Sequence, residues 1–226
     1  GESLKIGVGR DSRLSGEMLA NALIESLVEQ GVSVIDFGLA TTPAMFMCTQ
    51  FPQFACHGGV MITASHLPYY FNGLKIFSPK GGAEKEDIHT ILTQTTPRET
   101  VTKGSVETAD VITPYAADLV EKVRQGIPGK VQQPLQGMKI IVDAGNGAGG
   151  FFAEKVLQPL GADTTGSQFL EPDGHFPNHI PNPDNQEAMA SIQAAVLNVG
   201  ADLGVIFDTD VDRSAVVTKS GNVLNR

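Results

Sequence analysis

Apolar residues along this chain recur in two alternating rhythms, short near-continuous runs and longer stretches with a period close to 3.6. Residues 4–8, 32–37, 59–63 and 75–77 are short, largely apolar runs, and they read as strands. Between the first two, Ser15 offers an N-cap, and Met18, Leu19, Ala22, Leu23, Ser26 and Leu27 fall at helical spacing as the expected packing face. Gly31 sits where a left-handed C-cap belongs. Pro43 is placed to start a short helix, and residues 84–95 are predicted to form another. Residues 96–109 then turn polar, with Pro97 and Gly104, which marks a junction. A helix over 114–125 leads into a Gly/Pro loop (126–136), after which the alternation restarts. It predicts strands at 139–143, 165–170, 203–207 and 215–218, and helices at 151–160 and 186–199. Strands alternating with helices imply an α/β class: two consecutive domains, residues 1–105 and 106–226, each with a mixed, largely parallel sheet flanked by helices.

Composition narrows the function. Sixteen Lys and Arg stand against 25 Asp and Glu, a formal charge of −9. With no basic run to neutralise phosphates, a nucleic-acid or anionic-membrane role is not expected. No stretch is apolar enough to span a bilayer and no secretory pattern opens the chain. Cys48 and Cys56 are too few for a disulfide framework and read as small core residues of a reducing compartment, the cytoplasm or an organelle stroma. The chain opens almost directly into a strand and stops shortly after another, so it is expected to be part of a longer protein, or one with its remaining domains on another chain.

Four segments carry chemistry. In Thr63-Ala64-Ser65-His66-Leu67-Pro68 a serine leaves an apolar strand into a turn, at the sheet edge where open α/β folds place ligands. His66 and Lys75 are the nearby groups able to handle charge, although an ordinary strand-ending turn has the same look. Asp208, Asp210 and Asp212, directly after the 203–207 strand, repeat every second position and converge if the segment is extended or gently curled. Three such charges repel unless a divalent cation joins them, and an all-oxygen donor set suits Mg²⁺. An EF-hand is excluded, because Arg213 stands where its glycine belongs and Lys219 where its bidentate glutamate belongs.

Gly145-Asn146-Gly147-Ala148-Gly149-Gly150 has the spacing of a dinucleotide-binding turn, but no acidic residue closes the next strand and Asp143 is unexplained by that fold. These glycines are expected instead to let strand and helix join closely. Gly9-Arg10-Asp11-Ser12-Arg13 follows one strand and precedes a helix, so its arginines could hold an anion or simply pair with acids. His175 and His179 lie in a Gly/Pro/Asn loop with no third ligand and read as loop-positioning residues.

Together the segments resemble the α-D-phosphohexomutase superfamily, the phosphoglucomutases, phosphomannomutases and phosphoglucosamine mutases. The resemblance runs through Gly9 to Gly16, Thr63 to Pro68, Asn72-Gly73-Leu74-Lys75, Asp143 to Gly150, Phe176-Pro177-Asn178-His179 and Asp208 to Arg213. It implies a phosphoryl transfer between hexose 1- and 6-phosphates through a phosphoserine at Ser65 and a bisphosphate intermediate. It also implies Mg²⁺ on Asp208, Asp210 and Asp212 with a Ser65 phosphate oxygen, a general acid/base at Lys75 assisted by His66, and phosphate contacts from Arg13 and Arg213. Hexose phosphate and hexose 1,6-bisphosphate are the implied partners. The sugar-recognising third and fourth domains have no counterpart here, so a non-catalytic, mutase-like partner protein is the alternative. Leu67 replaces the family's usual asparagine and Thr209 its usual glycine.

Overall fold

The computed structural model describes residues 4–94, 102–129 and 131–224. It divides into two units, Gly1–Ala64 with Tyr70–Val111, and Ser65–Tyr69 with Ile112–Arg226. No helix among the described residues is long and apolar enough to cross a membrane.

In the first unit β1 (Lys5–Arg10), α1 (Gly16–Glu29), β2 (Ser33–Leu39), α2 (Thr42–Met47) and β3 (Gly58–Ile62) follow one another. Then come β4 (Leu74–Ser78), β5 (Gly81–Gly82), α3 (Lys85–Thr93) and β6 (Val106–Thr108). The six strands form one sheet in the order β5-β4-β3-β1-β2-β6. β1 pairs in parallel with β2 and β3, and β6 joins β2 in parallel, whereas β4 and β5 run antiparallel at the opposite edge. The parallel centre needs cover on both faces, and β3 is buried along its whole length. The apolar face of α1 supplies Ala20 and Ile24, which pack with Val8, Val34 and Ile62 on one side. Thr41 caps α2 by accepting a hydrogen bond from the Ala44 amide, and Glu84 with Asp87 forms a capping box on α3. Cys48 and Cys56 are buried free thiols. Of the polar stretch read as a junction, residues 96–101 lie outside the described residues, and its end is β6, which its pairing with β2 ties to the first unit.

The second unit begins with α4 (Ile112–Gly126) and β7 (Ile140–Asp143). A 3₁₀ turn (Ala148–Gly150) comes first, and of the helix predicted over 151–160 residues 151–157 are helical, with a π-helical segment at Ala153–Leu157. α5 (Gln186–Val199), β8 (Leu203–Phe207) and β9 (Ser214–Thr218) complete it. The sheet has the order β7-β8-β9, parallel then antiparallel. Asn185 caps α5 by accepting from the Ala188 amide. Ala188, Ile192 and Val196 of that helix pack on Ile141, Ile206 and Val217, while Ala116 and Val120 of α4 meet Val156 and Leu160.

The strand predicted at 165–170 is not formed. Gly166 (φ 102°) and Phe169 (φ 53°) bend the backbone out of the extended region, leaving a single bridge from Gln168 to Asp143. The segment still meets the edge of β7: the Ser167 hydroxyl accepts from the Val142 amide, and Gln168 donates to the Asp143 carboxylate.

Candidate functional site

Strand β8 ends in the core at Phe207, and the next three residues, Asp208, Thr209 and Asp210, are completely buried. The chain then turns sharply, with Val211 in the left-handed region at φ 66°. Asp208, Asp210 and Asp212 each bring a carboxylate oxygen to within 4.8 Å of the others. Burial and the charge of Asp210 push the Asp208 carboxyl up to about 7, with a further push from Asp212, against the opposing pull of the Arg213 amide and guanidinium. Arg213 closes the turn back on Asp208: its amide donates to Oδ1 at 3.0 Å and its Nε to Oδ2 at 3.1 Å. One guanidinium does not balance three carboxylates, so the donor set fits a divalent cation with oxygen preference.

Ser65 belongs with this unit by its contacts. It sits at φ 54°, a left-handed conformation that costs a non-glycine residue about 1–2 kcal/mol. Its hydroxyl donates to Asp208 Oδ2 at 3.2 Å and accepts from Arg213 Nη2 at 2.9 Å. A hydroxyl between a carboxylate that can take its proton and a cation that can hold the resulting charge is in the position of a nucleophile. His66 Nδ1 also contacts Arg213 Nη2. Leu67, where the family's asparagine would stand, is 43% exposed.

Arg13 and Lys75 lie in the first unit. Arg13 is 1% exposed, with its Nε on Asp11 Oδ2 at 3.1 Å and an Nη donating to the Phe71 carbonyl. The Thr63 hydroxyl donates to the same Asp11 oxygen at 2.7 Å, and the Asp11 amide donates to the Ile62 carbonyl. The arginine read from sequence as a phosphate contact is therefore built into a buried clamp joining the ends of β1 and β3 to the strand-returning loop. Lys75, half-buried on β4, stands opposite Met61 in the sheet register.

Two further features escape a residue-type reading. Asp143, unexplained by sequence, receives His179: the two side chains are buried and 3.0 Å apart. His179 Nδ1 faces the Ile180 carbonyl and Nε2 the Asp143 carboxylate, both acceptors only, so the geometry selects the doubly protonated ring. Burial opposes that charge, but the hydrogen bond and charge of Asp143, with the Ile180 carbonyl, outweigh it and raise the His179 pKa. The stability this pair contributes is full below the unfolded value near 6.5 and is lost as pH rises through the higher folded value. Melts of the protein between about pH 6 and 9 should show an alkaline loss that His179→Gln abolishes, worth about 1.5–3 kcal/mol for one charged hydrogen bond. Parallel pH profiles for the two proteins would contradict it.

The second feature is the glycine-rich turn. A Cβ on Gly147 would fall 2.7 Å from the Thr209 carbonyl oxygen and 2.9 Å from its Cα. That turn therefore lies directly beneath the acidic loop. Ala148 donates its amide to the Thr209 carbonyl at 2.9 Å. The sequence pattern explains the glycines as strand–helix closure, and the packing adds this loop as the neighbour of Gly147 and, through Val211, of Gly149.

Residues 1–102 match the family model for phosphoglucomutase/phosphomannomutase alpha/beta/alpha domain I, and residues 114–221 that for domain II. A phosphomannomutase/phosphoglucomutase of Pseudomonas putida is 37% identical over 97% of the chain, which covers 45% of that relative. A phosphoglucomutase of Neisseria gonorrhoeae is 38% identical over 97% of the chain and 46% of the relative. A solved phosphoglucomutase/phosphomannomutase family protein from Burkholderia thailandensis superposes with a TM-score of 0.81 at 30% identity, over 97% of this chain and 47% of that one. The chain thus spans about half the length of the relatives it matches. With two consecutive family domains matched across almost all of its residues, and a fold that superposes throughout, the chain belongs to the phosphoglucomutase/phosphomannomutase family.

Proposed function

We propose that this chain carries the phosphoryl-transfer half of a phosphohexomutase, with Ser65 as the residue that holds the phosphoryl group. The observation that carries the reading is the Ser65 hydroxyl, hydrogen-bonded at once to Asp208 of the acidic loop and to Arg213. Phosphorylated Ser65 gives its phosphoryl group to a free hydroxyl of a hexose monophosphate: the P–Oγ bond breaks and a P–O bond to the sugar forms. The resulting bisphosphate then returns its other phosphoryl group to Ser65. Lys75 is assigned the hydroxyl proton, on the match of Asn72-Gly73-Leu74-Lys75 to the family pattern, with His66 beside the serine in support. Arg213 balances charge on the serine oxygen. Asp208, Asp210 and Asp212 would hold Mg²⁺, which supplies neutralisation of the transferring oxygens when bound. Arg13 supports the reading through the clamp beside Thr63, two residues ahead of the nucleophile.

Intact-mass spectrometry with site mapping tests this. The chain, alone and joined to the remaining domains of a relative, is incubated with a hexose 1,6-bisphosphate and Mg²⁺. One phosphate on Ser65, absent from Ser65→Ala, is the expected result, with mutase activity of the joined protein falling at least about 10³-fold in that variant. Full activity in Ser65→Ala, or phosphate mapped elsewhere at the same level, would remove Ser65 from the mechanism.

A further inference from the structure

A β-branched residue with a left-handed backbone persists only where its surroundings hold it there, and Val211, at φ 66° between two acidic residues, is such a residue. We propose that Val211 is a positioning residue: its apolar side chain keys the acidic loop onto the Gly147–Gly149 turn and so holds three carboxylates together before any ion arrives. The proposal rests on the reading of Asp208, Asp210 and Asp212 as ion ligands.

The loop divides its labour by position. Asp208, Asp210 and Asp212 converge, while the buried Thr209 and half-buried Val211 meet the glycine turn. Thr209 is fastened through its backbone, which lies against Gly147 and accepts from the Ala148 amide. Val211 is fastened through its side chain, which packs on the cluster containing Val142, Ala153 and Phe207. Its Cγ2 lies 3.4 Å from where a Cβ on Gly149 would be, so the bare face of that glycine is the space the methyl uses. Like charges brought this close drive the loop apart, and two anchors on the glycine turn are what oppose that drive. The glycines that resemble a phosphate cradle in sequence serve here as a seat.

The test measures Mn²⁺ and Mg²⁺ binding to the whole chain by titration calorimetry, beside thermal melts without ion. Val211→Asn and Val211→Gly suit the backbone better than valine but lack the apolar key. Val211→Thr keeps the shape and replaces a methyl with a hydroxyl, a change a folded loop accommodates. Binding should weaken about tenfold or more in Val211→Asn and Val211→Gly, as supporting residues around metal ligands do when lost. It should weaken severalfold in Val211→Thr and stay near wild type in Val211→Ile, while the ion-free melting temperature of the Asn and Gly variants holds or rises. Ion affinity unchanged within about twofold in Val211→Gly and Val211→Thr overturns the positioning role, leaving the ion site intact. A wild-type chain that binds neither ion overturns the ion-site reading and this proposal with it.

Discussion

Asp11→Ala is expected to lower the stability of the first unit by about 3–5 kcal/mol, the usual cost of stranding one partner of a buried ion pair. Asp11 is fully buried and takes hydrogen bonds from the Arg13 amide and Nε and from the Thr63 hydroxyl. Removing it leaves a guanidinium with no exposed surface in its side chain facing a cavity. A unit of this size should lose more than about 10 °C in its melting midpoint. A matched apolar replacement, Asp11→Leu with Arg13→Met, should recover much of the loss, because the penalty comes from the unpaired charge rather than from the missing attraction. Chemical denaturation of the three proteins measures both effects. A single variant that melts within a few degrees of wild type would show that water or a rearranged partner reaches Arg13.

The second large effect is on ion binding. Asp210→Asn should weaken Mg²⁺ and Mn²⁺ binding at least about 100-fold, since loss of a direct ligand exceeds the 10–100-fold cost of losing a supporting group. Without ion, the same variant should melt no lower than wild type, because it removes one of three mutually repelling carboxylates, and one of the two that are buried. Saturating ion, at about 100 times the dissociation constant, stabilises the wild type by about 2.7 kcal/mol. The two melting curves are therefore expected to cross order when the ion is added. A variant that keeps the ion-induced shift would place the ion elsewhere.

Much of this was legible before any coordinates. Strands β1 to β3 and β7 to β9 are short apolar runs, and period alone finds α1 and α5, although in α1 the buried face runs through Gly16, Ala20 and Ile24 and leaves Met18 and Ala22 of the expected face exposed. Residues 165–170 mislead because Phe169 and Leu170 supply strand-like composition, while the left-handed turns at Gly166 and Phe169 are backbone facts that composition does not register. The acidic loop is legible because its three ligand candidates are neighbours in sequence. The clamp is not, since Asp11 and Thr63 are 52 residues apart and nothing near either one announces the other. The same holds for Asp143 and His179, and for Gly147, whose neighbour Thr209 lies beyond the next strand, β8. Arg13 shows the limit from the other side: its type and place allow either an anion contact or a pairing with acids, and only the structure shows its Nε on Asp11.

The register of the second sheet bears on how the protein is made. Ile140 of β7 pairs with Leu203 of β8, 203 − 140 = 63 residues further on. At a synthesis rate of about 5–20 residues per second, the four buried residues of β7 wait roughly 3–13 s on the ribosome for their strand partner. Over that interval Ile140-Ile141-Val142 is an exposed sticky strand, whereas β1 meets β2 within about thirty residues of chain. A cell short of chaperones should therefore lose this protein to aggregation through its second unit first, whatever the stability of the finished fold.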